Sequence, residues 1–122
     1  MEQKRFSWKE RGNSFSYAWN GIKSVLRTEH NTWIHLGFTI AAIAIGFILE
    51  ISSNEFIAII LSMALVWVTE IVNTAIEKIM DFISLERHPQ IKLVKDLAAA
   101  AVLIAAISAL VVGAIIFLPR LF

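Results

Sequence analysis

The sequence contains no cysteine, which excludes disulfides, thiolate chemistry and cysteine-ligated metal sites. Any chemistry must therefore use carboxylates, histidines, lysines and arginines. No glycine-rich loop of the GxxxxGK[ST] type is present, so a P-loop enzyme is excluded. The net charge is only +1 and no basic run is interleaved with aromatic residues, so we expect no nucleic-acid partner. The first thirty or so residues lack the apolar core of a cleaved signal peptide.

Apolar residues dominate the composition, at 57% hydrophobic against 17% charged. This balance predicts an all-α membrane protein with a single integral-membrane domain over 1–122. Apolar segments predict transmembrane helices at about 32–49, 56–80 and 97–118. The middle helix is apolar only over 56–69, and its polar second half must leave the hydrocarbon or be covered by protein. Spacings of three and four between apolar residues also predict an amphipathic surface helix at about 13–28.

The basic residues lie mainly on one side of the predicted spans. Six precede the first span, four lie between the second and third, and one follows the third: Lys4, Arg5, Lys9, Arg11, Lys23 and Arg27; Lys78, Arg87, Lys92 and Lys95; Arg120. By the positive-inside rule, we predict that the N-terminus and the loop before the third span are cytoplasmic. The turn at 50–55 and the C-terminus then face the other side.

Polar side chains within the apolar segment "VWVTEIVNTAIEKIMDFI" fall on one stripe of a helical wheel: Glu70, Asn73, Glu77 and Asp81. Like charges one turn apart repel unless a proton, a base or a metal compensates them. A hard divalent cation such as Mg²⁺ would do so. Spacing alone leaves three interpretations open: a solvated or ion-paired stripe, a proton relay in a small transporter, and a metal and acid-base site.

Two further clusters lie on the same predicted side of the membrane. "TEHN" places Glu29 at the mouth of the first span, where it could complete a metal site with Glu77. "VKDLAAAA" places Lys95 and Asp96 at the entrance of the third span. Acids for a cation, a lysine for phosphate charge and a spare carboxylate as base are the groups that phosphoryl transfer requires. His35, on an apolar face, is interpreted as a packed polar residue rather than a ligand.

The motifs "EIVNTAIEKIMD" and "KDLAAAAVLIAAISA", with "YAWNGI" and "TEHNTWIH" upstream, resemble the small bacterial integral-membrane lipid kinases, which include diacylglycerol kinase and undecaprenol kinase. The resemblance covers about 14–117. It implies a homotrimer in the bacterial cytoplasmic membrane, with three transmembrane helices and a surface helix in each subunit. It also implies Mg²⁺-dependent transfer of the ATP γ-phosphate to a membrane lipid alcohol.

The resemblance also implies roles for individual residues. Glu70 matches the family's general base, and Glu29 and Glu77 match its metal-binding glutamates. Trp19 and Glu70 fall in the lipid-substrate region. Matches to the family's nucleotide contacts are Tyr17, Glu29, Asn73, Glu77, Asp81, Glu86, Arg87, His88, Lys95 and Asp96.

The sequence departs from the diacylglycerol kinase pattern at two positions. Glu10 stands where those enzymes have an arginine, so Arg11 is the nearest candidate for an arginine that contacts phosphate. His35 stands where the enterobacterial type has an acid. The pattern E-x-N-x-x-I-H together with "ERHPQIKLVKDLAAAAVL" is similar to the undecaprenol kinase branch. The resemblance therefore predicts undecaprenol as substrate, with diacylglycerol as the alternative. A small ion- or proton-coupled transport subunit and a purely structural membrane protein are the two candidates that are not kinases.

Overall fold

The computed structural model describes residues 5–122, so Lys4 lies outside the described residues. All regular secondary structure in that range is helical, which confirms the predicted all-α class. The helices are α1 (Trp8–Thr28), α2 (His30–Ile48), α3 (Ser53–Ile83) and α4 (Pro89–Leu121). Within residues 5–122, α2, α3 and α4 are each long and apolar enough to cross a membrane, as predicted.

Each helix extends into polar sequence beyond its apolar window. α1 begins five residues earlier than the predicted position 13, because Ser7 accepts a hydrogen bond from the backbone N–H of Glu10 (3.4 Å) and caps the helix. α4 begins at Pro89 rather than 97, with His88 as its N-cap and proline in the first turn, where its missing N–H costs nothing. α2 and α3 likewise begin at 30 and 53 rather than at 32 and 56.

A tight turn joins α2 to α3 and makes them antiparallel neighbours. Glu50 occupies the left-handed region with φ of 53°, and the N–H of Ile51 donates to the carbonyl of Gly46 (3.1 Å). Ser52 and Glu55 then form a capping box that starts α3. A Cβ on Gly46 would lie 2.8 Å from the ring of Phe56, so glycine permits the close approach of the two helices here.

A sharp corner at the other end of α2 joins it to α1 through one residue, Glu29. Thr32 is fully buried in this corner, and its hydroxyl donates to the carbonyl of Val25 (3.4 Å). The corner therefore fixes Glu29 at the junction of the two helices, at the end of α2 away from the turn.

α3 packs most extensively against α4. Ala105 and Ala109 of α4 are buried against Val66 of α3, and such small side chains let membrane helices approach closely. Arg120 near the end of α4 donates to both carboxylate oxygens of Glu55 at the start of α3, at 2.6 and 2.8 Å. This bidentate pair joins the two helices at the end opposite Glu29.

Candidate active site

The polar stripe predicted on α3 becomes less buried along the helix. Glu70 is the most enclosed member, with 7% of its surface exposed. Asn73 and Glu77 are half-buried and Asp81 is exposed. The stripe therefore runs from a site enclosed by the protein to the open end of α3, where the chain enters the loop before α4.

Glu70 contacts a histidine that sequence reasoning had interpreted only as a packed polar residue. His35 of α2 places Nε2 3.3 Å from Oε2 of Glu70. The ring of His35 meets the edge of Trp67, with centroids 6.5 Å apart. A signal for this contact was available, because the two residues lie at similar distances along antiparallel helices from the turn that joins them.

Asn73 and Glu77, about one and two turns beyond Glu70 on α3, form a pair of oxygen-bearing side chains. The amide Nδ2 of Asn73 donates to Oε1 of Glu77 at 3.4 Å. The buried Oδ1 of Asn73 has no hydrogen-bond partner within residues 5–122. Buried polar atoms in proteins nearly always have a partner, so this acceptor is suited to a bound ligand. Carboxylate and amide oxygens are donors that Mg²⁺ and Ca²⁺ accept.

Asp81 is the open end of the stripe, and Lys95 of α4 reaches it. Lys95 Nζ donates to Asp81 Oδ1 at 2.6 Å, so the structure brings together two residues predicted to contact nucleotide. Asp96 is instead engaged by Lys92, one turn earlier on α4, also at 2.6 Å. Part of the stripe is thus ion-paired, as the first of the three interpretations expected, whereas Glu70 faces a histidine.

The loop between α3 and α4 borders a surface cleft of about 710 Å³. This size lies within the range of roughly 300–1,000 Å³ that is typical of small-molecule sites. His88 also caps α4, since its Nδ1 accepts from the backbone N–H of Gln90 at 3.1 Å. The predicted nucleotide-contacting residues that line the cleft are Glu86, Arg87, His88, Lys95 and Asp96.

The predicted residues on α1 and at its end make no side-chain hydrogen bond or ion pair with this cluster in the described structure. Tyr17 and Trp19 are 70% and 59% exposed. Glu29 is half-buried, and its side chain makes no capping hydrogen bond to α2 in the described structure. No group of three or more His, Asp or Glu side chains in residues 5–122 could hold a metal. The predicted metal site of Glu29 and Glu77 has only two such side chains, so it stays a prediction.

Three membrane-length helices define a multi-pass membrane protein. Its candidate active site lies at one end, where the acidic stripe of α3 approaches a cleft bordered by charged side chains. The family described as prokaryotic diacylglycerol kinase matches residues 16–117. The chain is 39% identical over 108 residues to undecaprenol kinase of Bacillus subtilis (strain 168), covering 88% of each chain. It is 37% identical over 109 residues to diacylglycerol kinase of Synechocystis sp., covering 88% of this chain and 62% of that protein.

Diacylglycerol kinase of Escherichia coli (strain K12) is 32% identical over 100 residues, with 82% of each chain covered. The chain belongs to the prokaryotic diacylglycerol kinase family and is a lipid phosphotransferase of the membrane. The family resemblance predicted from the sequence motifs is thereby confirmed.

Proposed function

We propose that the chain is an ATP- and Mg²⁺-dependent kinase that transfers the γ-phosphate of ATP to the hydroxyl of undecaprenol. The observation that carries the proposal is the graded stripe, in which the enclosed Glu70 lies on the same helix face as the exposed Asp81. A lipid alcohol arrives from the bilayer and ATP arrives from water, so a lipid kinase needs one site that reaches both. The similarity to the Bacillus subtilis undecaprenol kinase supports undecaprenol over other lipids.

In this proposal Glu70 is the general base. Its carboxylate accepts the proton of the lipid hydroxyl as the hydroxyl oxygen bonds to the γ-phosphorus and the bond to the bridging oxygen of ADP breaks. Lys95 offsets the negative charge of the moving phosphoryl group. Because Lys95 is paired with Asp81 in the structure, the ATP phosphates would compete with that carboxylate for the ammonium group.

Mg²⁺ would be held by Glu29 and Glu77, with Asn73 supporting the site. The unpaired Oδ1 of Asn73 beside Glu77 favours a cation ligand here, because it supplies an oxygen donor that the described residues leave unused. When bound, Mg²⁺ neutralises charge on the ATP phosphates and orients them. The half-buried Glu29 keeps its carboxylate uncommitted to capping α2, as a metal ligand requires.

ATP would occupy the cleft beside the loop between α3 and α4. Arg87 and Lys95 on its wall are suited to phosphate, and the remaining polar side chains are suited to ribose and base. Tyr17 would contact the nucleotide and Trp19 the lipid. The large exposed aromatic side chains of α1 support a surface helix that rests on the membrane interface.

The proposed orientation places the N-terminus and the cleft in the cytoplasm of a bacterial cell and the C-terminus outside. The basic residues in and before α1, near the end of α3, in the loop and in the first turns of α4 support it. Arg120, near the other end of α4, is paired with Glu55. The protein would act as a homotrimer in the cytoplasmic membrane. Cysteine crosslinking in membranes, starting from this cysteine-free chain, tests both statements.

Diacylglycerol kinase activity is the second candidate, because most of the similar relatives carry that name. The same base, metal and nucleotide residues would serve either lipid. Membership of a lipid phosphotransferase family favours both over a transport subunit, which would consume no ATP. A purely structural membrane protein would not require the polar residues of the stripe to lie on one face of α3.

The discriminating experiment measures transfer of radiolabelled γ-phosphate from ATP to undecaprenol, shorter prenols and diacylglycerol in detergent micelles. We expect labelled prenyl phosphate to form faster than phosphatidic acid. Faster labelling of diacylglycerol would assign the second candidate, and no labelled lipid at all would refute the kinase proposal.

A further inference from the structure

Glu70 and His35 contact each other across two different helices, where few polar side chains meet. Their side chains are 9% and 22% exposed, and Nε2 lies 3.3 Å from Oε2. This separation is longer than the roughly 2.7–2.9 Å of a formed charge-assisted hydrogen bond. Contacts at catalytic groups are often long in the free enzyme and shorten when substrate binds.

Thr39 and Trp67 contact the backbone and the ring of His35, respectively. The hydroxyl of Thr39 donates to the backbone carbonyl of His35 at 2.7 Å and accepts from the indole Nε1 of Trp67 at 3.0 Å. The Trp67 ring in turn meets the His35 ring edge-on. The imidazole is therefore carried by a segment of α2 that is tied to α3 through the bond from Trp67 to Thr39.

We infer that His35 is a positioning residue for Glu70, with Nε2–H donating to Oε2 so that Oε1 faces the lipid hydroxyl. The inference rests on the proposed function, in which Glu70 is the base. To accept a proton directly, the oxygen of a base must lie about 2.6–3.2 Å from the oxygen that carries the proton, and a 1 Å misplacement can cost about 10²-fold in rate. A histidine that fixes one carboxylate oxygen sets the direction of the other.

The first test compares three substitutions that differ in reach. His35→Gln keeps an N–H near the position of Nε2, His35→Asn reaches only the position of Nδ1, and His35→Leu removes the donor. We expect His35→Gln to retain kcat within about threefold, and the other two to lose about 10- to 100-fold in kcat with KM for ATP unchanged. The exposed His30, at the first position of α2, supplies the control His30→Leu, with unchanged kcat.

The second test repeats His35→Leu in a Glu70→Gln background. If His35 acts through the Glu70 carboxylate, its loss should matter little once that carboxylate is gone. We therefore expect the double variant to transfer phosphate less than about twofold more slowly than Glu70→Gln alone. A merely structural histidine would lower activity by the same factor in both backgrounds and would also lower thermal stability. Equal effects, or equal kcat for the Gln and Leu variants, would overturn the inference.

The two proposals fail in different ways. If Glu70→Gln retains wild-type transfer, the base assignment is wrong and the positioning role falls with it. If Glu70→Gln is inactive while His35→Leu keeps wild-type kcat, only the positioning role is refuted. If residual transfer in Glu70→Gln is too low to measure, the comparison of the Gln, Asn and Leu variants decides.

Discussion

Replacing Asn73 with leucine is expected to raise the free energy of unfolding. The same substitution should raise the Mg²⁺ concentration that phosphoryl transfer requires. The buried Oδ1 has no partner in the described part of the chain, and an unsatisfied buried acceptor costs about 1–3 kcal/mol. The substitution also removes the 3.4 Å bond from Nδ2 to Glu77, which contributes about 0.5–1.5 kcal/mol. Leucine is similar in shape to asparagine, so the net gain in unfolding free energy should be about 1 kcal/mol.

The assay is equilibrium unfolding in detergent without nucleotide or Mg²⁺, followed by tryptophan fluorescence. Asn54→Leu is the matched control, because Asn54 is exposed in the first turn of α3 and no gain is expected there. In the same preparations, the Mg²⁺ concentration for half-maximal transfer should rise by about tenfold in Asn73→Leu, as for the loss of a group supporting a metal site. A loss of stability in Asn73→Leu would show that Oδ1 is satisfied and would refute the reasoning.

Gly46→Ala should cost about 1–3 kcal/mol of unfolding free energy, because its Cβ would lie 2.8 Å from an aromatic ring of α3. Arg120→Met should lower the free energy of unfolding, since it removes the bidentate hydrogen bonds to Glu55 that join α3 and α4. Both are measured by the same unfolding assay. Lys95→Met should lower kcat for phosphoryl transfer by about 10²-fold, as for loss of one charge-stabilising donor.

Each of these three substitutions has a control variant that shows whether its effect is specific to the named contact. Gly113→Ala introduces a Cβ with nothing within 4 Å, so it should be neutral or stabilise the helix by up to about 1 kcal/mol. Arg120→Lys keeps the charge but not the forked geometry, and should recover only part of the loss. Lys78→Met, at an exposed lysine of α3, should leave kcat unchanged. Similar effects in each test and control pair would contradict the structural explanation.

The helices were predictable because long apolar windows and a period of 3.6 residues dominate the sequence. Their ends were not, because caps such as Ser7 and His88 lie in polar sequence and hydropathy does not detect them. The register of the stripe was predictable because residues three and four apart share one face of a single helix.

Contacts between helices were harder to predict than contacts within one helix. The pairing of His35 with Glu70 and of Lys95 with Asp81 depends on how α2 and α4 rotate against α3. That rotation depends on which small residues, such as Ala105 of α4, pack against the neighbouring helix. The composition of a helix does not show which of its small residues face a neighbour. Four basic residues lie between the second and third predicted spans, and the packed structure pairs Lys95 among them with Asp81.

The most direct measurement of the central claim is γ-phosphate transfer to undecaprenol by wild-type protein and by Glu70→Gln. We predict labelled undecaprenyl phosphate from the wild type and a loss of about 10²- to 10⁴-fold in Glu70→Gln, the range expected for removal of a general base. The variant should elute at the wild-type position in size-exclusion chromatography, because a neutral amide fits the same space. Wild-type transfer rates from Glu70→Gln would contradict the assignment of Glu70 as the base.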